Sequence, residues 1–256
     1  IADYLVHGTW GEKALDEARA IGEVHVACST HEGDGYERAP RRDELDLSQR
    51  SAYVHLTTNE TILGIQYHEL PELPGRHVVA DMSSDILARP IDVSKYALIY
   101  AGAQKNLGPS GLVLVIAERA FLQSGRTDIP KFFRYATHAK AGSILNTPPT
   151  FSVYLMRNVL RWVVEEGGAA EMAERAIKKS ALLYAALDEH PEVYLLPVDR
   201  ASRSRMNVVF RLHRGDKDRA FLDGAEARGM TNLAGHRTAG GMRASRSACM
   251  RKARVM

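Results

Sequence analysis

Residues 101–111 read Ala101-Gly-Ala-Gln-Lys105-Asn-Leu-Gly-Pro-Ser-Gly111 and follow directly on the apolar run 96–101. A lysine placed just after an apolar strand and just before a glycine-rich turn is poorly placed for a solvated surface charge. An amine held near a pocket loses its proton more readily and can form an imine with an aldehyde. Spacing alone still favours a loop lysine that reaches water, since lysines beside Gly-Pro turns are common.

Two earlier apolar runs also end in polar residues. The run 52–56 leads into a polar segment that closes at Thr61, and the run 77–80 ends at Asp81. Short continuous apolar runs are typical of strands buried on both faces of an α/β sheet. Ligands bind beyond the carboxyl ends of such strands. The pattern therefore predicts an α/β fold in which Thr61, Asp81 and Lys105 meet at one pocket.

The rest of the chain divides near residue 190. Strands are predicted at 24–28, 112–117, 193–196 and 207–212, helices at 11–21, 151–165, 169–189 and 217–228, and a polar surface excursion at 29–50. The helix 151–165 is expected to place Val153, Leu155, Met156, Val159, Leu160 and Trp162 on or near its buried face. Since short strands replace long helices after Pro191, we predict a cofactor-binding large domain at 1–190, which includes an interdomain helix, and a small α+β domain at 191–256.

Composition excludes several classes of protein. Hydrophobic residues make up 45% and charged residues 25% of the 256 residues, which is typical of a folded globular chain rather than a disordered one. No apolar run is long enough to cross a membrane. Two cysteines, Cys28 and Cys249, form no disulfide framework or metal motif, so we expect a cytoplasmic protein with no metal site. A net charge of +3 does not by itself indicate nucleic acid and suits anionic substrates.

Single residues leave alternatives open. Asp81 could pair with a protonated ring nitrogen, although the pattern favours a cap for a helix starting at Ser83 by roughly two to one. Trp10 could stack on a ring or fill the core, which is the usual place of a lone tryptophan. Thr61 could equally be the first residue of a helix. The combination of these residues carries more weight than any one of them.

In combination, the motifs resemble a known family. They are Tyr53-Val-His-Leu-Thr-Thr-Asn-Glu-Thr61-Ile-Leu-Gly64, Ala80-Asp81-Met-Ser-Ser, Gly102-Ala-Gln-Lys105-Asn, Leu145-Asn-Thr-Pro-Pro-Thr-Phe151, Ser204-Arg-Met-Asn207 and Gly240-Gly-Met-Arg-Ala-Ser245. Together they resemble the phosphoserine aminotransferases, in the class V branch of the fold-type I enzymes that use pyridoxal 5'-phosphate (PLP). The resemblance implies an aspartate-aminotransferase-like fold: a large α/β domain with a mainly parallel sheet, and a small C-terminal α+β domain.

The resemblance also implies roles for the residues of a PLP site. Lys105 would carry the cofactor as a Schiff base and move the proton at the substrate Cα, while Asp81 would pair with the pyridine nitrogen. Thr61 would bond the phenolic oxygen, and Trp10 would stack on the ring. The cofactor phosphate would be bound by Gln104 and, from the partner subunit of a homodimer, by Asn146 and Thr147. A neutral donor suits the anionic phosphate, and a carboxylate suits a cationic nitrogen.

The implied substrates are L-glutamate and 3-phosphohydroxypyruvate, giving 2-oxoglutarate and O-phospho-L-serine in serine biosynthesis, with a related step in pyridoxine biosynthesis. Arg243 would hold the α-carboxylate by its two-pronged guanidinium, and His236 and Arg237 would lie near the distal anion. The alternatives are another class V aminotransferase, such as a serine–glyoxylate aminotransferase, and an inactive remnant. A cysteine desulfurase is rejected because neither cysteine is suitably placed. No nucleic-acid or membrane partner is expected.

The sequence departs from the family at both ends. It begins at Ile1 rather than methionine and lacks the family's N-terminal third, with its glycine-rich phosphate-binding turn, so we expect a fragment. After Ser245 the family's closing helix is replaced by a basic tail with Arg246, Arg251, Lys252 and Arg254. A frame-shifted terminus and a genuine basic tail are both open. We expect the chain expressed alone to be poorly soluble or to bind PLP weakly.

Overall fold

A computed structural model gives the fold, and it describes residues 1–245. The strands are β1 Ala2–Val6, β2 Val24–Ser29, β3 His31–Glu32, β4 Gly35–Tyr36, β5 Val54–Thr57, β6 Asn59–Glu60, β7 Ile65–Gln66, β8 Val78–Asp81, β9 Leu98–Gly102, β10 Val113–Ala117, β11 Tyr194–Leu195, β12 Asn207–Leu212 and β13 Met242–Ser245. The helices are α1 Thr9–Arg19, α2 Arg119–Gln123, α3 Tyr135–Lys140, α4 Thr150–Glu165, α5 Gly168–Asp188 and α6 Asp218–Glu226.

The main sheet has six strands in the order β10-β9-β8-β5-β1-β2. All neighbours pair in parallel except β9 and β10, which are antiparallel. This mainly parallel sheet with helices confirms the α/β prediction. Because β5, β8 and β9 run in the same direction, their carboxyl ends open at the same edge of the sheet.

Burial explains why three of these strands could be recognised. Leu56 of β5, Ala80 of β8, and Ile99 and Ala101 of β9 are all buried in one apolar core. In a strand that is covered on both faces, the side chains of both faces are buried. Polar residues therefore do not alternate with apolar ones, and the sequence is a continuous apolar run. The predicted runs therefore lie within about two residues of the observed strands.

Several predictions about single elements were wrong. Thr61 begins no helix: it lies in the turn between β6 and β7, where Gly64 has a φ of +75°. By contrast, residues 29–50 are mostly exposed, in agreement with the predicted surface excursion, and β3 and β4 form a short hairpin within them. In α4, Val153 lies outside the buried face with 45% of its surface exposed, and Val163 is the residue that is fully covered.

A second sheet follows α5. Its order is β11-β12-β13, all antiparallel, and its core contains Leu187, Val208, Phe210 and Met242. The division of the chain at residue 190 stays a prediction. No helix of residues 1–245 has the length and apolarity that a membrane span requires. The basic tail from Arg246 onwards, with Cys249, lies outside the described residues.

Candidate active site

Lys105 lies just beyond the carboxyl end of β9, in the turn that starts at Ala103. Its amine donates to the hydroxyl of Thr61, with 2.7 Å between Nζ and Oγ1. Asp81 stands at the carboxyl end of β8, which lies between β5 and β9 in the sheet. The sheet thus brings the lysine and the threonine into contact, as predicted from the strand ends.

Trp10 forms a wall of the same site. It is the second residue of α1, and the Nζ atom of Lys105 lies 4.9 Å from the centroid of its ring. The indole Nε1 is buried and has no hydrogen-bond partner within residues 1–245. The prediction that Trp10 lies at the site rather than only in the core agrees with this contact. Its stacking on a cofactor ring stays a prediction.

Asp81 has a local role as well as a position at the site. Its Oδ1 accepts a hydrogen bond of 2.8 Å from the backbone N–H of Ser83, but residues 83–87 form a turn and not a helix, so the helix-capping alternative is wrong. The hydroxyl of Ser83 in turn accepts the N–H of Gly102 over 3.0 Å. These two bonds fix the carboxylate relative to the end of β9, where the lysine follows. A second role toward a ring nitrogen is compatible with this anchoring.

The electrostatics favour a reactive amine. Burial lowers the pKa of Lys105 below its usual 10.5, and the nearby Arg243 lowers it further. The carboxylates of Asp81 and Glu60 act in the opposite direction and raise this pKa. A lysine pKa below its usual value leaves more of the neutral amine, which is the form that attacks a carbonyl.

Glu60 is a residue of the site that the sequence patterns did not reveal. Its side chain is 0% exposed and accepts the backbone N–H groups of Trp10 and Gly11 at 3.0 and 2.7 Å. Burial raises its pKa to about 7, against the opposing effect of these two hydrogen bonds. One sequence signal could have pointed to such a residue. Gly8 precedes helix α1 and has no side chain to cap it, so the cap must come from another part of the chain.

Arg243 reaches the site from the second sheet. It lies on β13 opposite Val209 of β12, and its Nη1 is 3.4 Å from the carbonyl oxygen of Thr61. The side chain is half-buried, and its charge acts on Lys105. A planar cation near the amine is suited to hold a substrate carboxylate.

These groups fit PLP. The cofactor offers an aldehyde, a phenolic oxygen, a pyridine nitrogen and a flat ring. The site offers a desolvated amine at Lys105, a hydroxyl at Thr61, a carboxylate at Asp81 and an aromatic wall at Trp10. Within residues 1–245 no cluster of His, Cys, Asp and Glu could hold a metal ion.

Comparison with known proteins agrees with this geometry. The family model for class V aminotransferases matches residues 14–255. The chain belongs to the class V aminotransferase family. A curated phosphoserine aminotransferase from Herpetosiphon aurantiacus is 49% identical over 245 residues, which cover 96% of this chain and 68% of that protein. The fold is that of the fold-type I PLP enzymes.

Two solved structures are similar to this class V aminotransferase over most of its length. Phosphoserine aminotransferase from Bacillus circulans subsp. alkalophilus superposes with a TM-score of 0.93 at 42% identity, covering 96% of this chain and 68% of that one. A PLP-bound phosphoserine aminotransferase from Trichomonas vaginalis superposes with a TM-score of 0.88 at 33% identity, covering 96% and 71%. The chain therefore corresponds to about two thirds of each relative.

Several expected site residues of this class V aminotransferase do not join the cluster around Lys105. Gln104 is exposed, and its side chain folds back beside Gly102. Asn146 and Thr147 are exposed, and among residues 1–245 their side chains bond only within their own turn, from Asn146 Nδ2 to the Thr147 carbonyl at 3.4 Å. Their roles toward a cofactor phosphate stay predictions.

The two residues expected near the distal anion lie in the loop before β13. His236 bonds the hydroxyl of Thr238 over 2.7 Å through Nδ1. Arg237 is exposed and forms no ion pair with any part of the chain that the structure describes. A free guanidinium and an imidazole on one loop are available to an anion, and that role stays a prediction.

Proposed function

We propose that this protein is a PLP-dependent aminotransferase that moves an amino group between L-glutamate and 3-phosphohydroxypyruvate, giving 2-oxoglutarate and O-phospho-L-serine. The observation that carries the proposal is the position of the Lys105 amine, 2.7 Å from Thr61 Oγ1 and 4.9 Å from the Trp10 ring centroid. Similarity to phosphoserine aminotransferases at 49% identity supports the choice of substrate.

The chain's own residues divide the work of transamination. Bound PLP supplies an aldehyde to the substrate amine and an electron sink for the electrons of its Cα–H bond. Lys105 would hold that aldehyde, and its amine would be the base that takes the proton from the substrate Cα and returns it. Burial lowers the pKa of Lys105, which leaves more of the neutral amine that can accept a proton. Asp81 would keep the ring nitrogen protonated, Thr61 would orient the phenolic oxygen, and Trp10 would cover one face of the ring.

Substrate recognition rests on cations from the second sheet. Arg243 enters beside Thr61 and takes the α-carboxylate of either amino acid. His236 and Arg237 take the second anion, which is a phosphate in one substrate and a carboxylate in the other. Replacing Arg237 by Ala is expected to reduce turnover of phosphohydroxypyruvate far more than that of glyoxylate. Equal losses would favour a serine–glyoxylate aminotransferase, and Arg228→Ala on an exposed helix end is the matched control.

A second copy of the chain completes the proposed site. Phe133 and Phe151 are each 71% exposed, and Tyr154 is also exposed. Exposed apolar side chains of this kind favour contact with another protein chain, which would bury them. The exposed Asn146 and Thr147 would reach the phosphate bound in the partner. If so, inactive Lys105→Ala and Asn146→Ala chains regain activity when unfolded together and refolded as mixed dimers.

The proposed reaction places the protein in serine biosynthesis, with a related step on a vitamin B6 precursor, in the cytoplasm. A cytoplasmic location is supported by the use of only two cysteines. Growth without added serine, in a host that lacks its own enzyme, tests the first role. Growth without added pyridoxine tests the second separately.

The decisive experiment is chemical. Because weak binding is expected, the purified chain is incubated with a large excess of PLP before it is treated with borohydride and digested, and the pyridoxyl group is located by peptide mass spectrometry. The group is expected on Lys105, and Lys105→Ala abolishes both the label and the turnover. The control is Lys95→Ala, which replaces an exposed lysine just before β9 and should leave both the label and the turnover unchanged. A pyridoxyl group on other lysines only would overturn the proposal.

A further inference from the structure

Glu60 caps a helix that belongs to a different part of the fold. The first N–H groups of any helix lack partners within it and are usually bonded by a side chain at the preceding position. In α1 that position is Gly8, which has no side chain. The carboxylate of Glu60 bonds the N–H groups of the second and third residues instead, at 3.0 and 2.7 Å. The cap is therefore supplied by β6.

Close packing shows that this contact is built into both partners. A Cβ atom on Gly8 would lie 2.5 Å from Cδ and Cγ of Glu60, a distance that no side chain tolerates. A Cβ atom on Gly11 would lie 3.4 Å from Oε1. Only a residue without a side chain at position 8 lets the carboxylate approach the helix end.

The same short segment also contacts the lysine. Thr61 follows Glu60 directly and accepts the hydrogen bond from the Lys105 amine. We propose that Glu60 is a positioning residue of the site: by clamping the start of α1 to the segment that carries Thr61, it fixes the position of the Trp10 indole relative to the Lys105 amine. This proposal rests on the proposed function, since the two groups need a fixed relative position only if both face one cofactor.

The ionisation state of Glu60 should set the strength of the clamp. An ionised carboxylate accepts both N–H groups through charge-assisted hydrogen bonds, whereas a protonated one turns one oxygen into a donor. The groups that act on it are Asp81 from β8, which raises its pKa, and Lys105, which lowers it. Tyr36 of β4 also interacts with its charge. With a pKa of about 7, the clamp strengthens as the pH rises through neutrality.

Tryptophan fluorescence tests this without any cofactor. The chain contains two tryptophans, so Trp162→Phe leaves Trp10 as the only reporter. In that background the Trp10 emission is expected to titrate with a midpoint near neutral pH, and Glu60→Gln is expected to abolish the transition. The matched control is Glu12→Gln, since Glu12 lies in the same first turn but bonds the hydroxyl of Tyr36. That variant should retain the transition.

Chemical labelling gives a second readout on the lysine. The negative charge of Glu60 raises the pKa of Lys105. Glu60→Gln is therefore expected to speed acetylation of Lys105 by acetic anhydride by about three- to tenfold near pH 8, as judged by peptide mass spectrometry. Labelling of the exposed Lys95 is the internal reference and should not change.

The outcomes separate the two proposals. An unchanged titration in Glu60→Gln, or no titration in the Trp162→Phe protein itself, overturns the positioning role even if the enzyme is active. If Glu60→Gln fails to fold, the titration of the Trp162→Phe protein still decides. A protein that shows both effects but no turnover of phosphohydroxypyruvate keeps the positioning role and loses the proposed function.

Discussion

The guanidinium of Arg243 lies 3.4 Å from the backbone carbonyl oxygen of Thr61, although 182 residues separate the two in the chain. Arg243 belongs to β13, and Thr61 belongs to the turn between β6 and β7. The turn rests on the second sheet, because a Cβ on Gly64 would lie 2.7 Å from the Asn207 carbonyl. The proposed carboxylate ligand is thus held next to the lysine-binding threonine by the fold itself.

Changing Arg243 to Lys should affect substrate binding without affecting the fold. A lysine keeps the charge but cannot form the two parallel bonds of a guanidinium with a carboxylate. Since hydrogen bonds to charged groups contribute about 1.5–3 kcal/mol, kcat/KM for glutamate should fall by about 10- to 100-fold. Arg211→Lys on the adjacent β12, exposed and bonded to the Ala239 carbonyl, is the control. A loss no larger than that of the control would exclude Arg243 as the carboxylate ligand.

Removing the hydroxyl of Ser204 should loosen the joint between the β6–β7 hairpin and the start of β12. This fully buried side chain donates to Asn59 Oδ1 at 2.6 Å and accepts the N–H groups of Met206 and Asn207, each at 3.0 Å. Ser204→Ala leaves three buried polar groups unpaired, and we expect a loss of about 2–4 kcal/mol in the free energy of unfolding.

Urea denaturation measures that loss. Ser124→Ala serves as the control, because the hydroxyl of Ser124 is exposed and, in the part of the chain that the structure describes, bonds only the Phe121 carbonyl. It should change the free energy of unfolding by less than about 0.5 kcal/mol. Equal stability of the two variants would show that the hydroxyl of Ser204 adds nothing to the joint.

Glu60 should make the stability of the protein depend on pH. Its pKa is raised from 4.5 to about 7 on folding, so the folded protein holds a proton that the unfolded chain has already released. Ionisation strengthens the bonds of Glu60 to the two N–H groups, but the desolvation of the buried charge outweighs that gain. The net stabilisation is therefore present in full below 4.5 and is lost as the pH rises through about 7. At 1.36 kcal/mol per pH unit, the loss is about 3 kcal/mol. Urea unfolding at about pH 5 and about pH 8 should show this slope in the wild type, reduced in Glu60→Gln.

Gly8→Ala should reproduce the effect of losing Glu60 while leaving the Glu60 side chain itself unchanged. The added methyl would collide with Glu60 Cδ and Cγ, and displacing them should cost about 1–3 kcal/mol. The near-neutral titration of Trp10 fluorescence should disappear with it. Gly22→Ala, where no heavy atom lies within 4 Å of the new methyl, should leave both the stability and the titration intact. A Gly8→Ala protein that kept the titration would contradict the packing argument.

The sequence predicted the meeting of Lys105, Thr61 and Asp81 because parallel strands buried on both faces are visible as apolar runs. It missed β1, which carries Asp3 within the core. That carboxylate is 0% exposed and accepts hydrogen bonds from the N–H and hydroxyl of Ser48. A charge bonded in this way breaks the apolar pattern without breaking the strand, so periodicity could not locate it.

Other errors have equally specific causes. The exposed Val153 of α4 lies on an apolar face that this chain leaves uncovered, and periodicity cannot say which apolar face is covered. Glu60 was missed because its partners are backbone N–H groups, which have no side-chain signature. The roles of Gln104 and Asn146 depend on a cofactor and a second subunit, so they rest on family resemblance.

Glu60 and Thr61 are joined by a single peptide bond, yet one holds the helix after β1 and the other holds the lysine after β9. Those strands are not neighbours, since β5 and β8 lie between them. A rotation of that peptide unit would displace both side chains and so would disturb both contacts. Amino-acid changes near Trp10 and near Lys105 should therefore show epistasis. Over evolution, drift in one segment limits which replacements the other can accept.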